Sequence, residues 1–252
     1  MNFSPSRRRR KPARVLRVSL MTALLAGILA GIACAATING TSGDDKLYGT
    51  QGADRISALG GDDTVYGLGA SDTIRGGNGD DFVNGDGTRT CPAGSRNPGY
   101  CVVANTEAQG GNDVVSGGAG EDAIDGGLGN DTLHGDSGAD DIDGESGADR
   151  IYGEANADRL NGGTGNDTIS GASGPDAING ESGDDTITGG AGVDTFSGGA
   201  GDDLIDARDG HSETINCGSG DDEVIADRSD KVGGEVISGR IRLGNCERIR
   251  RR

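Results

Sequence analysis

The chain has no tryptophan, and aromatic residues fill only 3% of its 252 positions. With a hydrophobic share of 32%, that stock is too thin for an ordinary packed globular core. Basic residues are scarce as well: 23 Lys and Arg stand against 41 Asp and Glu, a formal charge of −18. A polyanion of this kind repels a phosphate backbone, which excludes nucleic acid as a partner. Histidine occurs only at His134 and His211, and no C-x-x-C pair is present, so the usual zinc sites are missing. Neither H-E-x-x-H nor G-x-S-x-G is found, and the chain reads as a non-enzyme.

What the sequence does have is 50 glycines and a nine-residue frame, G-x-x-G-x-D-x-U-x, in which U is a large apolar side chain. Its aspartates are Asp45, Asp54, Asp63, Asp72 and Asp81, then, after an interruption, Asp113, Asp122, Asp131, Asp140, Asp149, Asp158, Asp167, Asp176, Asp185, Asp194 and Asp203. Two residues after each comes an aliphatic or Phe, from Leu47 and Ile56 through Ile169 to Phe196 and Ile205. So many glycines lose a large backbone entropy on folding, and so much negative charge resists compaction. A cation is therefore expected to be part of the folded state.

The first 36 residues differ in character. They hold seven Lys and Arg and no acid, followed by an apolar run from Val18 to Ala36, the pattern of a secretory signal peptide. Ala33-Cys34-Ala35 fits a small-residue cleavage site and would release a chain beginning at Ala36. Lipidation at Cys34 and an uncleaved anchor stay open as alternatives. Without this segment, 41 acidic residues face 16 basic ones, a net of −25, and no transmembrane segment is expected in the remainder.

Loss of Cys34 leaves Cys91, Cys101, Cys217 and Cys246. An even number in an exported chain suggests two disulfides, of which there are three connectivities. Cys91–Cys101 with Cys217–Cys246 is the expected pairing, because each pair brackets a segment outside the frame.

A nine-residue period with two glycines is too short for helical repeats and too glycine-rich for a helix, which leaves a β-solenoid. Positions seven to nine, as in Thr168-Ile169-Ser170, are expected to be a short strand with only the middle side chain inward. Positions one to six, as in Gly162-Gly163-Thr164-Gly165-Asn166-Asp167, are expected to be a turn that presents carbonyls and one carboxylate. Such a ladder holds hard oxygen ligands and no soft ones, which favours Ca²⁺ over the tighter octahedral demand of Mg²⁺.

These frames resemble the RTX, or haemolysin-type, calcium-binding nonapeptide repeat GGxGxDxUx, over residues 40–206. The resemblance implies an all-β fold, a parallel β-roll in which two nonapeptides make one turn. It also implies multiple Ca²⁺ ions between turns, held by the sixteen frame aspartates and glycine-rich backbone carbonyls, with about twelve sites as the upper bound. RTX repeats often accompany a protease or lipase domain, and none is present in this sequence.

Departures from the frame include Ala70 and Asn156 at position four, Pro175 before Asp176, and Asp136, Glu145, Glu154 and Glu181 at position two, expected to face solvent. Tyr48, Tyr66 and Tyr152 are outward positions expected to form no aromatic row. The chain divides into a signal peptide (1–35), a first repeat block (36–84), an inserted disulfide loop (85–109), a second block (110–210), and a C-terminal cap with a degenerate repeat and basic tail (211–252). For that tail two roles stay open, folding back on the acidic body or anchoring to an acidic cell-envelope polymer.

The expected function is a secreted, extracellular calcium-binding protein whose folding is coupled to export. The alternative is a calcium-stiffened structural or adhesive module at the cell surface that binds envelope polymer or glycan. No protein partner is indicated.

Overall fold

The computed structural model describes residues 35–86, 110–233, 235–236, 246 and 248–251. The signal segment up to Cys34, the loop with Cys91 and Cys101, and most of the basic tail lie outside the described residues.

Among the described residues the chain forms strands and turns only, in two eleven-stranded sheets. From Thr37–Asn39 to Lys231–Val232 successive strands alternate between the sheets, so each pairs in parallel with a strand one full coil away. Thr168–Ser173 pairs with Thr186–Ala191, and Ile169 lies opposite Ile187, eighteen residues on. One coil is thus two nonapeptides, and the fold is a parallel β-solenoid.

The alternation of a strand places position eight inward on both sheets. From Leu47 to Ile205 every such residue is at most 3% exposed, and together they are the core. Each packs on the residues directly above and below it, so stability is built from neighbouring coils rather than from a central globule.

Strands are longer than the frame suggests. Thr168–Ser173 runs from position seven through position three, and the register continues to Glu154 opposite Ala172 and Ala155 opposite Ser173. Only positions four to six form the turn. The reason is backbone hydrogen bonding between stacked coils, which extends across the glycines that the sequence places in the turn.

Position two has a left-handed backbone in most repeats, including those where it is not glycine: Leu59, Leu68, Asp136, Glu145, Glu154, Ala172 and Glu181 all have φ between 64° and 91°. Ala70 and Asn156 at position four share it, at 65° and 85°. Several of the acids at position two are partnered rather than simply solvated: Asp136 accepts from the Ser116 hydroxyl, and Glu154 pairs with His134 Nδ1 at 2.9 Å. Two of the outward tyrosines also do more than expected, since Tyr48 and Tyr66 stack with ring centroids 5.3 Å apart.

The interruption does not break the stack. Thr73–Asn78 pairs with Val114–Ala119, and Phe82–Asp86 pairs with Ala123–Leu128, so coils on either side of the insertion are direct neighbours. Gly85 and Asp86, which the loss of phase assigns to the loop, belong to the strand Phe82–Asp86. They are positions one and two of a frame completed by Gly110, Gly111, Asn112 and Asp113, with residues 87–109 inserted between positions two and three.

The coil also continues beyond the frame. Thr214–Ser219, Glu223–Ala226 and Lys231–Val232 add three more rows, with Ile215, Val224 and Val232 buried in the core column. This is part of the segment that sequence alone assigns to a cap. The end is closed by an antiparallel pair, Lys231–Val232 with Glu235–Val236, by Arg248–Arg251 beside Glu223–Ala226, and by the Cys217–Cys246 disulfide. Cys217 stands at position one of its frame, and both half-cystines are fully buried.

Candidate metal centre

The sixteen frame aspartates are all buried, none more than 6% exposed. They form two columns, one along each edge of the roll, because alternate turns cross from one sheet to the other. Within a column each backbone N–H donates to Oδ1 of the aspartate one coil on, as Asp149 does to Asp167 and Asp167 to Asp185, both at 2.8 Å. The rungs cross the insertion without a gap: Asp72 donates to Asp113 at 2.7 Å and Asp81 to Asp122 at 2.8 Å. Oδ1 is therefore a structural acceptor, which leaves Oδ2 for other work.

In thirteen of the sixteen, Oδ2 is buried and has no hydrogen-bond partner: Asp63, Asp72, Asp81, Asp113, Asp122, Asp131, Asp140, Asp149, Asp158, Asp167, Asp176, Asp185 and Asp203. An unpaired buried carboxylate oxygen is costly, and thirteen in register call for a common compensating charge. Asp45 and Asp54 differ. Position two is Thr there, and the backbone N–H of Thr41 and of Thr50 donates to the Oδ2 at 2.6 and 2.5 Å. These two carboxylates are satisfied within their own turn.

The glycine at position one explains the space beside Oδ2. A Cβ on Gly162 would lie 2.5 Å from Oδ2 of Asp167 and 2.8 Å from the carbonyl oxygen of Gly180 in the next coil. Any side chain would fill the gap between a carboxylate of one turn and a carbonyl of its neighbour. Among the described residues no group of three or more His, Cys, Asp or Glu side chains converges on one point, so a cation here must draw on backbone carbonyls for much of its shell.

Electrostatics agree. Burial raises these carboxyls well above the ordinary range, the accepted backbone N–H opposes the rise, and neighbouring carboxylates mostly add to it. Asp113 is pushed up to about 8, and Asp72, Asp149, Asp176 and Asp185 to about 7. Asp63, Asp81, Asp122, Asp131, Asp140 and Asp203 reach about 6, while Asp158, Asp167 and Asp194 move in the same direction. Without a bound cation, the folded columns take up protons more readily than free carboxyls do.

A family model for the RTX calcium-binding nonapeptide repeat matches residues 39–72, 57–88, 107–133, 134–169 and 170–205, more than half of the sequence. The chain belongs to this family. A comparison with curated proteins found no match. RTX repeats bind calcium, and the donors present fit that ion: hard carboxylate and carbonyl oxygens, no sulfur, and no imidazole in either column.

The roll carries acids that the frame does not reveal. Asp86, Glu213, Asp222 and Asp230 are each at most 7% exposed, and Glu213, Asp222 and Asp230 take the frame position of Asp in the degenerate C-terminal turns. Their signal was the Asp-x-aliphatic or Glu-x-aliphatic triplet, present as Glu213-Thr214-Ile215, Asp222-Glu223-Val224 and Asp230-Lys231-Val232, of which Asp222 alone keeps glycines at positions two and four, Gly218 and Gly220. Position five is also structural: Asn130 Oδ1 accepts from the backbone N–H of Ala148 at 2.8 Å, and Asp184 Oδ1 from that of Asp202 at 2.9 Å.

Proposed function

We propose that this chain is an exported calcium-binding β-roll with no catalytic centre, and that calcium uptake drives its final compaction. The observation that carries the reading is the double column of buried aspartates whose Oδ2 atoms have no partner. Ca²⁺ supplies a divalent charge that accepts those oxygens and adjacent carbonyls and holds one coil to the next. We assign this role to the thirteen aspartates from Asp63 to Asp203 with an unpartnered Oδ2, and not to Asp45 and Asp54.

Export supplies the logic. Where calcium is scarce, as in the cytosol, the acids repel one another and the chain stays expanded. Outside the cell, sites of extracellular strength, with Kd on the order of 10⁻⁴ to 10⁻³ M, would fill. The basic, apolar first segment is read as the signal that takes it there. The domain scheme follows: signal peptide, roll with residues 87–109 inserted, and C-terminal closure.

The test is far-UV circular dichroism of the full chain after EDTA treatment, titrated with CaCl₂ beside MgCl₂. A cooperative gain of β-signal with calcium alone is expected. A flat response, or a complete β-signal in EDTA at pH 8, overturns the reading.

A further inference from the structure

The turn at Glu213 does not follow the nonapeptide pattern. It lies ten residues from Asp203 where the frame has nine, Ala207 and Arg208 replace the paired glycines, and the family match ends at residue 205. Yet Glu213 stands in the aspartate column between Asp194 and Asp230. Thr214 donates to the Asp194 carbonyl at 3.2 Å, and the Glu213 N–H donates to Asp230 Oδ1 at 3.4 Å.

Its carboxylate is 1% exposed, and neither oxygen accepts a hydrogen bond from an N–H or hydroxyl group, while the Asp230 carboxyl lies within hydrogen-bonding reach. The rung that Asp176 makes to Asp194, at 2.9 Å, is thus not repeated from Asp194 to Glu213. Every other charged group of the turn is already engaged. Arg208 is held by Asp206 through Nε and Nη2, and His211 Nδ1 lies 2.5 Å from Asp209 Oδ2. Asp209 also accepts from the Gly192 N–H at 2.9 Å, and Asp230 Oδ2 accepts from the Asp227 N–H at 2.6 Å. Two basic side chains sit in this turn, Arg208 and His211, and each is paired with a different acid, so neither neutralises Glu213.

We propose that Glu213 forms a further calcium site, outside the repeats of the family, in which both of its carboxylate oxygens and nearby backbone carbonyls hold the ion. The extra loop residue makes room for a side chain one methylene longer than Asp. With neither oxygen committed to a rung, this carboxylate has both available, whereas each frame aspartate spends Oδ1 on its neighbour. Burial, with Asp230 beside it, pushes the cation-free carboxyl up to about 8, consistent with a charge that needs a counter-ion. The proposal rests on the calcium reading above and adds one ion to it at the disulfide-closed end of the roll.

The experiment is an ion count on the full chain in saturating calcium by native mass spectrometry, with Glu213→Gln beside the unchanged protein. The Gln variant is expected to carry one calcium fewer. Equal counts overturn this site and leave the calcium reading intact, whereas an unchanged protein that takes up no calcium overturns the reading itself. Should Glu213→Gln lose the β-signal of the roll, Glu213→Asp decides. A rise of about tenfold or more in the midpoint for one ion supports the site, and an unmoved midpoint overturns it.

Discussion

The backbone N–H of Asp149 donates to Oδ1 of Asp167, 2.8 Å away in the next coil, while Oδ2 of the same Asp167 is buried and unpartnered. One carboxylate therefore does two jobs with two oxygens. Oδ1 sets the spacing of the stacked coils in the folded roll, and Oδ2 creates the deficit that a cation removes. Because the same atom set lies between neighbouring coils, binding and stacking are one event, and filling is expected to be cooperative along each column.

Replacing Asp167 by Asn separates the two jobs. The amide keeps a carbonyl oxygen to accept from Asp149 but loses the charge. The full chain is expected to bind fewer calcium ions and to need more calcium for its β-transition, read by isothermal titration and circular dichroism. Asp45→Asn is the contrast. Its Oδ2 is already held by the Thr41 N–H at 2.6 Å and by the Thr41 hydroxyl at 2.8 Å, so the ion count is expected to stay unchanged.

Gly162→Ala tests the space beside that oxygen. The new Cβ would sit 2.5 Å from Asp167 Oδ2 and 2.8 Å from the Gly180 carbonyl, and neither backbone nor buried carboxylate can retreat without shifting a coil. A loss of about 1–3 kcal/mol in calcium-bound stability is expected from chemical unfolding. Gly43→Ala, where a Cβ meets nothing within 4 Å, is expected to be silent. Equal effects at both sites would show that the cradle is not what the glycine protects.

Ile169→Ala probes the core. Ile169 is 1% exposed and lies between Ile151 and Ile187 in register, so a cavity there removes contacts with both neighbouring coils. A cost of about 2–5 kcal/mol is expected. Since contacts are local to adjacent coils, hydrogen exchange should quicken around residues 150–190 before it does at either end.

Much of this was legible in the sequence, for a physical reason: every coil solves the same problem with the same residues. The aspartate at position six and the aliphatic at position eight show their roles directly, and Ile169 and Asp167 are buried where the period places them. Less legible was anything carried by backbone pairing. Positions one to three read as turn because they are glycine-rich, yet Gly171-Ala172-Ser173 extends a strand through bonds to the next coil. Nor does a count in nines recognise Gly85-Asp86 and Gly110-Gly111 as one frame split by an insertion, because the join is made by cross-coil pairs such as Ile74 with Val115. Glu213 escaped notice because a longer acid and one extra residue together mimic Asp in space but not in spacing.

The raised carboxyls give a dependence on pH whose sign differs with and without calcium. Asp113 titrates near 8 in the cation-free roll and Asp72, Asp149, Asp176 and Asp185 near 7, against an ordinary 3.8 in the unfolded chain. A folded-state pKa above the unfolded one means that the roll binds protons more tightly than the coil does. That stabilisation is complete below about pH 4 and is lost as pH rises through 6 to 8. In EDTA the β-signal is therefore expected to be partly retained at pH 5 and to disappear towards pH 8. In saturating calcium the order reverses, because protons compete with the ion for Oδ2 and acid displaces it. Circular dichroism melting curves at pH 5 and pH 8, each with EDTA and with excess calcium, compare the four conditions, with no cooperative transition expected in EDTA at pH 8. Parallel pH trends in the two conditions would mean that protons and calcium do not share the same oxygens.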